Sequence, residues 1–255
     1  MKRSPRIAAA WHLPVGLVLA CAAAGSVAQT ASPPRLLAPV WGAPPHCSAM
    51  LEPLNRAANE PRGEDLFAVG RQYESGECVL RNESLAAQFY GQAARLGNPA
   101  GARRLALLFG VGRGVPQSYA NAGAWLAGKG VSDETIEPWD YSVGRAYTLV
   151  ATVLDSVRYP QAEWPVGLTL ALAVEAEARS PGKLRWRFAG DDSAQAEALR
   201  GPLTAAFDAA EGEAMARLAP AESRYLVNAR VALPITVQHL GAGRFTVTEQ
   251  DPLLR

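Results

Sequence analysis

The chain has 255 residues, 49% of them hydrophobic, with 25 basic and 24 acidic side chains. That apolar share supplies a conventional buried core for one large domain or two small ones. With a formal net charge of +1, no overall field draws the chain towards nucleic acid or an anionic membrane surface.

Residues 1 to 28 place Lys2, Arg3 and Arg6 before a long apolar run that closes on Ser26, Val27 and Ala28. This is the order of a secretory signal peptide, with cleavage expected after Ala28 and an exported mature chain. Two alternatives use the same segment. Val18-Leu19-Ala20-Cys21 is close to a lipobox, which would lipidate Cys21. The apolar run also approaches the ~20 residues of a membrane-spanning helix, which would retain it as an anchor. Membrane attachment is expected only in those two cases. Removal of Cys21 leaves Cys47 and Cys78, an even count in an oxidising compartment. One disulfide is expected, closing a loop of about thirty residues and contributing ~3 kcal/mol in the chain-entropy model. The alternative is two separate buried thiols.

Residues 29 to 45, QTASPPRLLAPVWGAPP, are proline-rich and read as an extended arm or linker. A helix from about Cys47 to Asn59 is expected next. A repeat then begins. A shift of 36 positions places Val69 on Leu105, Tyr73 on Phe109, Gly76 on Gly112, Val79 on Val115, Ala86 on Ala122 and Phe89 on Trp125. Each copy reads as an apolar helix, a glycine-bearing turn and a second helix with alanines and an aromatic.

Over residues 64 to 130 the runs Tyr73-Glu74-Ser75-Gly76-Glu77-Cys78-Val79, Ala86-Ala87-Gln88-Phe89-Tyr90 and Ala93-Ala94-Arg95-Leu96-Gly97 resemble the Sel1-like repeat family. The second copy carries Phe109-Gly110-Val111-Gly112-Arg113-Gly114-Val115 and Ala122-Gly123-Ala124-Trp125, then departs at Gly128-Lys129-Gly130, where the solenoid is expected to stop. The resemblance implies a short α-solenoid with a concave protein-binding face, on which Tyr73, Tyr90 and Trp125 are the expected contact residues. Two repeats need capping, and the Cys47–Asn59 helix is expected to supply it, tied to the first repeat's turn by the Cys47–Cys78 bridge.

The C-terminal segment changes period. Residues 146 to 157 form an apolar helix, after which Leu168, Leu170, Leu172 and Val174 alternate, followed by Leu184, Trp186 and Phe188 beyond a Pro181-Gly182 turn. That pattern is a hairpin. An alanine-rich helix over about Ser193 to Leu218 is expected to break or restart near Gly201-Pro202. A last strand places Tyr225, Val227, Ala229, Val231, Leu233, Ile235 and Val237 on one face. The order α-β-β-α-β over 142 to 240, with Tyr147, Tyr159-Pro160, Gly167 and Val231-Ala232-Leu233-Pro234-Ile235-Thr236-Val237, resembles the periplasmic C-terminal domain of the TonB and TolA families. The resemblance implies a periplasmic location and an α + β chain of two domains, the second with a small antiparallel sheet. Residues 241 to 255 read as a tail or an extra strand. Pro234 suggests that the last strand lies at a sheet edge open to strand addition, with Asn228, Arg230 and Thr236 as contact residues; the alternative is that it only guards the edge from aggregation.

No catalytic constellation emerges. His12 lies in the signal, and His46 and His239 stand apart from any cluster at ligand spacing, so no metal, cofactor or histidine-based catalysis is expected. Gly123-Ala124-Trp125-Leu126-Ala127-Gly128-Lys129-Gly130 imitates a phosphate loop but carries Gly130 where a hydroxyl residue should be. Asp191-Asp192, Glu175/Glu177 and Glu211/Glu213 read as solvated. The expected function is a periplasmic protein–protein adaptor, not an enzyme, with envelope proteins or peptidoglycan as partners and no nucleic acid. The alternatives are a TonB-like energy transducer with a retained anchor and a peptidoglycan-fragment binder.

Overall fold

A computed structural model describes residue 47 and residues 52–131, 135–179, 184–190 and 193–255. The signal segment with Cys21, the 29–45 arm, His46, the Pro181-Gly182 turn and Asp191-Asp192 lie outside the described residues. The architecture is α + β, with helices through the N-terminal part and a small antiparallel sheet in the C-terminal part.

Helix α1 (Glu52–Asn59) precedes two helical hairpins, α2 (Gly63–Ser75) with α3 (Glu83–Arg95) and α4 (Pro99–Val111) with α5 (Tyr119–Leu126). The starts of α2 and α4, and those of α3 and α5, are 36 positions apart, the spacing of the sequence repeat. The turns are built alike. Gly76 and Gly112 cap α2 and α4 in the left-handed region, both at φ 72°, a conformation that a Cβ penalises. The Asn82 N–H then donates to Tyr73 O and the Ser118 N–H to Phe109 O, both at 2.8 Å. Asn82 and Ser118 start the second helices by accepting from Leu85 N and Asn121 N, satisfying donors that helix starts leave open. Helix α1 packs on α2, and Cys47 Sγ lies 2.11 Å from Cys78 Sγ in the first turn, in disulfide geometry.

Helix α6 (Pro138–Ser156) starts earlier than the apolar pattern at 146 predicts, because Pro138 suits a first helical turn. It crosses α5 with backbones in contact. A Cβ on Gly123 would lie 1.8 Å from Asp140 O, and one on Gly144 1.9 Å from Tyr119 O, so both positions require glycine. Lys129 Nζ sits 2.9 Å from both carboxylate oxygens of Asp140, and the phosphate-loop imitation is therefore the end of a helix with its lysine already paired.

The sheet runs β2-β1-β3-β4, with β1 (Thr169–Glu177), β2 (Arg185–Phe188), β3 (Arg230–Gly241), β4 (Arg244–Glu249) and a short β5 (Leu253–Leu254) that also pairs with β3. Alternation sets its faces. Leu170, Leu172 and Val174 of β1 and Val231, Leu233, Ile235 and Val237 of β3 are all buried, against α6 and helix α7 (Ala194–Arg217). The buried cluster is continuous from Leu66 in α2 to Val237 in β3, so the hairpins and the sheet share one core.

Three expectations are corrected here. The strand of 225–237 is not an edge: β3 begins at Arg230 and lies between β1 on one side and β4 with β5 on the other. Pro234 is tolerated because Gln250, Asp251 and Pro252 stand opposite only Leu233 and Pro234, a bulge at which the ladder needs no donor from residue 234. Its carbonyl still accepts from Gln250 N at 2.9 Å. Helix α7 runs unbroken through Pro202, since the carbonyl robbed of its partner belongs to exposed Ala198 and is open to water. Tyr225, placed on the strand by its alternation, instead ends a 3-10 turn over Ser223–Tyr225.

Candidate functional site

Where α2, α4 and α6 meet the inner side of β4, a cavity of about 350 Å³ opens to solvent. Its polar lining consists of Arg71, Arg103, Arg104, Tyr147, Asp155, Thr248 and Glu249, and its apolar walls include Phe67, Leu107, Leu154 and Val247. Helix α4 is otherwise apolar in this stretch, so the adjacent Arg103 and Arg104 leave it on diverging paths.

Arg104 turns towards the hairpins. Its Nε and Nη2 donate to the two carboxylate oxygens of Glu74 at 2.8 and 2.6 Å, and Nη1 donates to Asp155 at 3.0 Å. The Tyr90 hydroxyl donates to Glu74 at 2.7 Å. Burial pushes the Glu74 carboxyl up, but the hydrogen bonds and charge of Arg104, with the Tyr90 hydroxyl, outweigh it and hold the group below the usual carboxylate range. Burial likewise raises the Tyr90 hydroxyl, and Glu74 raises it further. Arg113 stands 3.6 Å from Glu74 at the edge of the cluster while donating to Glu83 at 2.6 Å.

Arg103 turns towards the sheet. It pairs with Asp251 in the bulge, and its Nε stands 3.6 Å from Glu249, too far for a hydrogen bond. That Nε is buried without a hydrogen-bond partner. Burial pushes the Glu249 carboxyl above its usual range against the pull of Arg103. Arg71 is exposed on α2 and forms no salt bridge among the described residues. The cleft thus holds one satisfied arginine, one partly satisfied and one outside any ion pair among the described residues.

Phe67 and Arg71 also border a second, more apolar groove of about 550 Å³ with Pro53, Ala68 and Gln72, next to Glu77 and the Cys47–Cys78 link. The sequence-derived contact residues fall elsewhere. Tyr73, Tyr90 and Trp125 are buried, at 0, 0 and 6% exposure, and this corrects their placement on an open concave face. The alanines of the hairpins bring helices close, and the rings fill the space between them; Tyr73 stacks on Phe89 at 5.5 Å. Asn228 and Arg230 are exposed, and Arg230 pairs with Glu177 at 2.9 Å beside a shallow depression near the C-terminus. Thr236 lies half-buried on the outer face of the sheet, opposite Ala171 and Thr248. These three do not meet the arginine cleft.

His239 is buried, with Nδ1 2.6 Å from Trp164 O and its ring stacked on Phe245 at 4.5 Å. Among the described residues no group of three His, Cys, Asp or Glu could hold a metal ion, and no helix is long and apolar enough to cross a membrane. Of the cleft's polar residues only Tyr147 belongs to a pattern legible in the sequence, and the one other local signal is the arginine pair inside an apolar helix. No family model matches the chain, and neither does any curated protein or any solved structure.

Proposed function

We propose that this chain is an exported, periplasmic adaptor that binds an extended segment of an envelope protein as an added strand on β4. The signal-like first 28 residues, the Cys47–Cys78 bridge and the resemblances to Sel1-like repeats and to the TonB and TolA C-terminal domain support the location and the adaptor role. The observation that carries the binding mode is the cleft itself. β4 is the outermost strand on its side of the sheet, so its outward N–H and C=O groups are free for main-chain pairing, and the cavity opens beneath its Val247 and Glu249. Side chains of an added strand that share their parity would enter that cavity.

The test is site-specific photo-crosslinking in the producing cell, with the photoreactive residue at Thr246 or Thr248 and, as control, at Gly212, a helix position that meets open space. A defined partner trapped from β4 and not from Gly212 is expected. Identical products from all three positions would sink the reading. N-terminal sequencing of the mature protein tests export, with Gln29 as the expected first residue.

A further inference from the structure

We infer that the apolar groove between α1 and α2 is the seat of the chain's own proline-rich arm, with residues 35–45 docked in it and Trp41 as the anchor. The groove, of about 550 Å³, has Pro53 of α1 on one side and Phe67, Ala68, Gln72 and Ser75 of α2 on the other. Those four recur at helical spacing and form one face of α2. Leu66, Val69 and Tyr73 of the same helix are inside the core, whereas Phe67 and Ala68 are only half-buried, so the groove is the part of α2 that the hairpins leave uncovered. Its polar end is closed on itself. The Ser75 hydroxyl donates to Gln72 O and accepts from Glu77 N, both at 3.3 Å, and such a lining suits an apolar occupant.

The arm fits by composition and by attachment. Residues 36–41 carry Leu36, Leu37, Val40 and Trp41, four large apolar side chains with no charge among them. The arm also ends at the groove. Cys47 is bonded to Cys78 with their Cα atoms 5.4 Å apart, and Glu77, beside Cys78, lines the groove. The chain from Trp41 to Cys47, when extended, spans about 19 Å. The face of α2 from Phe67 to Ser75 is about 12 Å long, so Trp41 reaches every part of it. A tether this short supplies an effective concentration in the millimolar range, which a second copy in dilute solution does not match. The arm is present whether the chain begins at Met1, Cys21 or Gln29, so its docking is independent of how the signal segment is processed. Phe67 and Arg71 line both the groove and the cleft beneath β4, and a docked arm therefore borders that cleft.

The experiment uses the purified full mature chain with a photoreactive phenylalanine analogue in place of Trp41, and mass mapping of the products. Crosslinks within one chain to Pro53, Phe67, Ala68 or their neighbours on α1 and α2 are expected. Ala68→Arg puts a long charged side chain into the groove and should cut that yield about tenfold. Gly212→Arg, at a helix position that meets open space, should leave it intact. A second measurement leaves α2 untouched. In a chain labelled with fluorotryptophan, the fluorine resonance that disappears in Trp41→Phe should differ in shift from that of the free peptide of residues 35–45, and should not vary with protein concentration. A Trp41 resonance that coincides with the free peptide's, or crosslinks that survive Ala68→Arg undiminished, overturns the inference. Crosslinked dimers mean that the groove takes the arm of a second copy, and crosslinks to Thr246 or Thr248 mean that the arm is itself the strand on β4; either result overturns it. Only the last of these outcomes bears on strand addition by a partner.

Discussion

Arg103 and Arg104 are neighbours on one helix, yet they serve the two parts of the molecule in opposite ways. Arg104 enters the helical hairpins, where Glu74 and Asp155 satisfy it and Tyr90 donates to the same Glu74; Arg103 reaches the sheet edge, where Asp251 holds it and its Nε stays unmatched beside Glu249. The carboxyls report the difference, with Glu74 held down and Glu249 pushed up. A buried charge that is fully hydrogen-bonded fixes structure, while one left short of its partners is costly. The hairpins are thus the better-fixed part, and the edge of the sheet is where we propose that a partner docks.

The strongest test of that contrast is at the α5–α6 crossing. Gly144→Ala drives a Cβ into Tyr119 O and should cost about 4 kcal/mol, measured by urea denaturation. A loss below about 1 kcal/mol would show that the helices separate easily, and the hairpins would not be the better-fixed part. Second in size is the bridge. Replacing both Cys47 and Cys78 by serine should cost about 3 kcal/mol and loosen α1 selectively, seen as faster amide exchange in α1 and the first turn than in β1 or β3.

Glu74→Gln should cost about 2 kcal/mol by leaving Arg104 short of a charged partner. Its pH dependence has a defined sign. A carboxyl held low in the fold contributes stability that is present above its unfolded pKa and is lost as pH falls through the folded value, so the variant should flatten the acid limb of the stability profile. Glu249→Gln is the smallest change and the opposite in sign. Its carboxyl is raised, so folding is favoured as pH falls towards the folded value and is penalised above it. The variant should be neutral or more stable by up to about 1 kcal/mol at neutral pH. A large loss would mean that the sheet edge depends on its buried charges no less than the hairpins do.

Much of the fold was legible. The 36-residue register located both hairpins and their capping glycines, and strict alternation located β1, β2 and the buried face of β3. The cysteine count pointed to the Cys47–Cys78 pair. The site was not legible. Tyr73, Tyr90 and Trp125 were drawn to the surface by a family-like pattern that in this chain marks core; Arg71 and Glu249 carried no pattern at all, and Arg103 showed only as half of an arginine pair in an apolar helix.

The division follows from range. Helix caps, turn glycines and the period of apolar residues act between neighbours a few positions apart, so the residue order alone determines them. Which strand covers which depends on pairing across the whole chain, and only the packed structure decided that β3 is central and that Pro234 falls opposite a bulge. The same holds for the cleft. Arg104 meets Glu74 across 30 positions and Arg103 meets Asp251 across 148, and no local signal reaches that far.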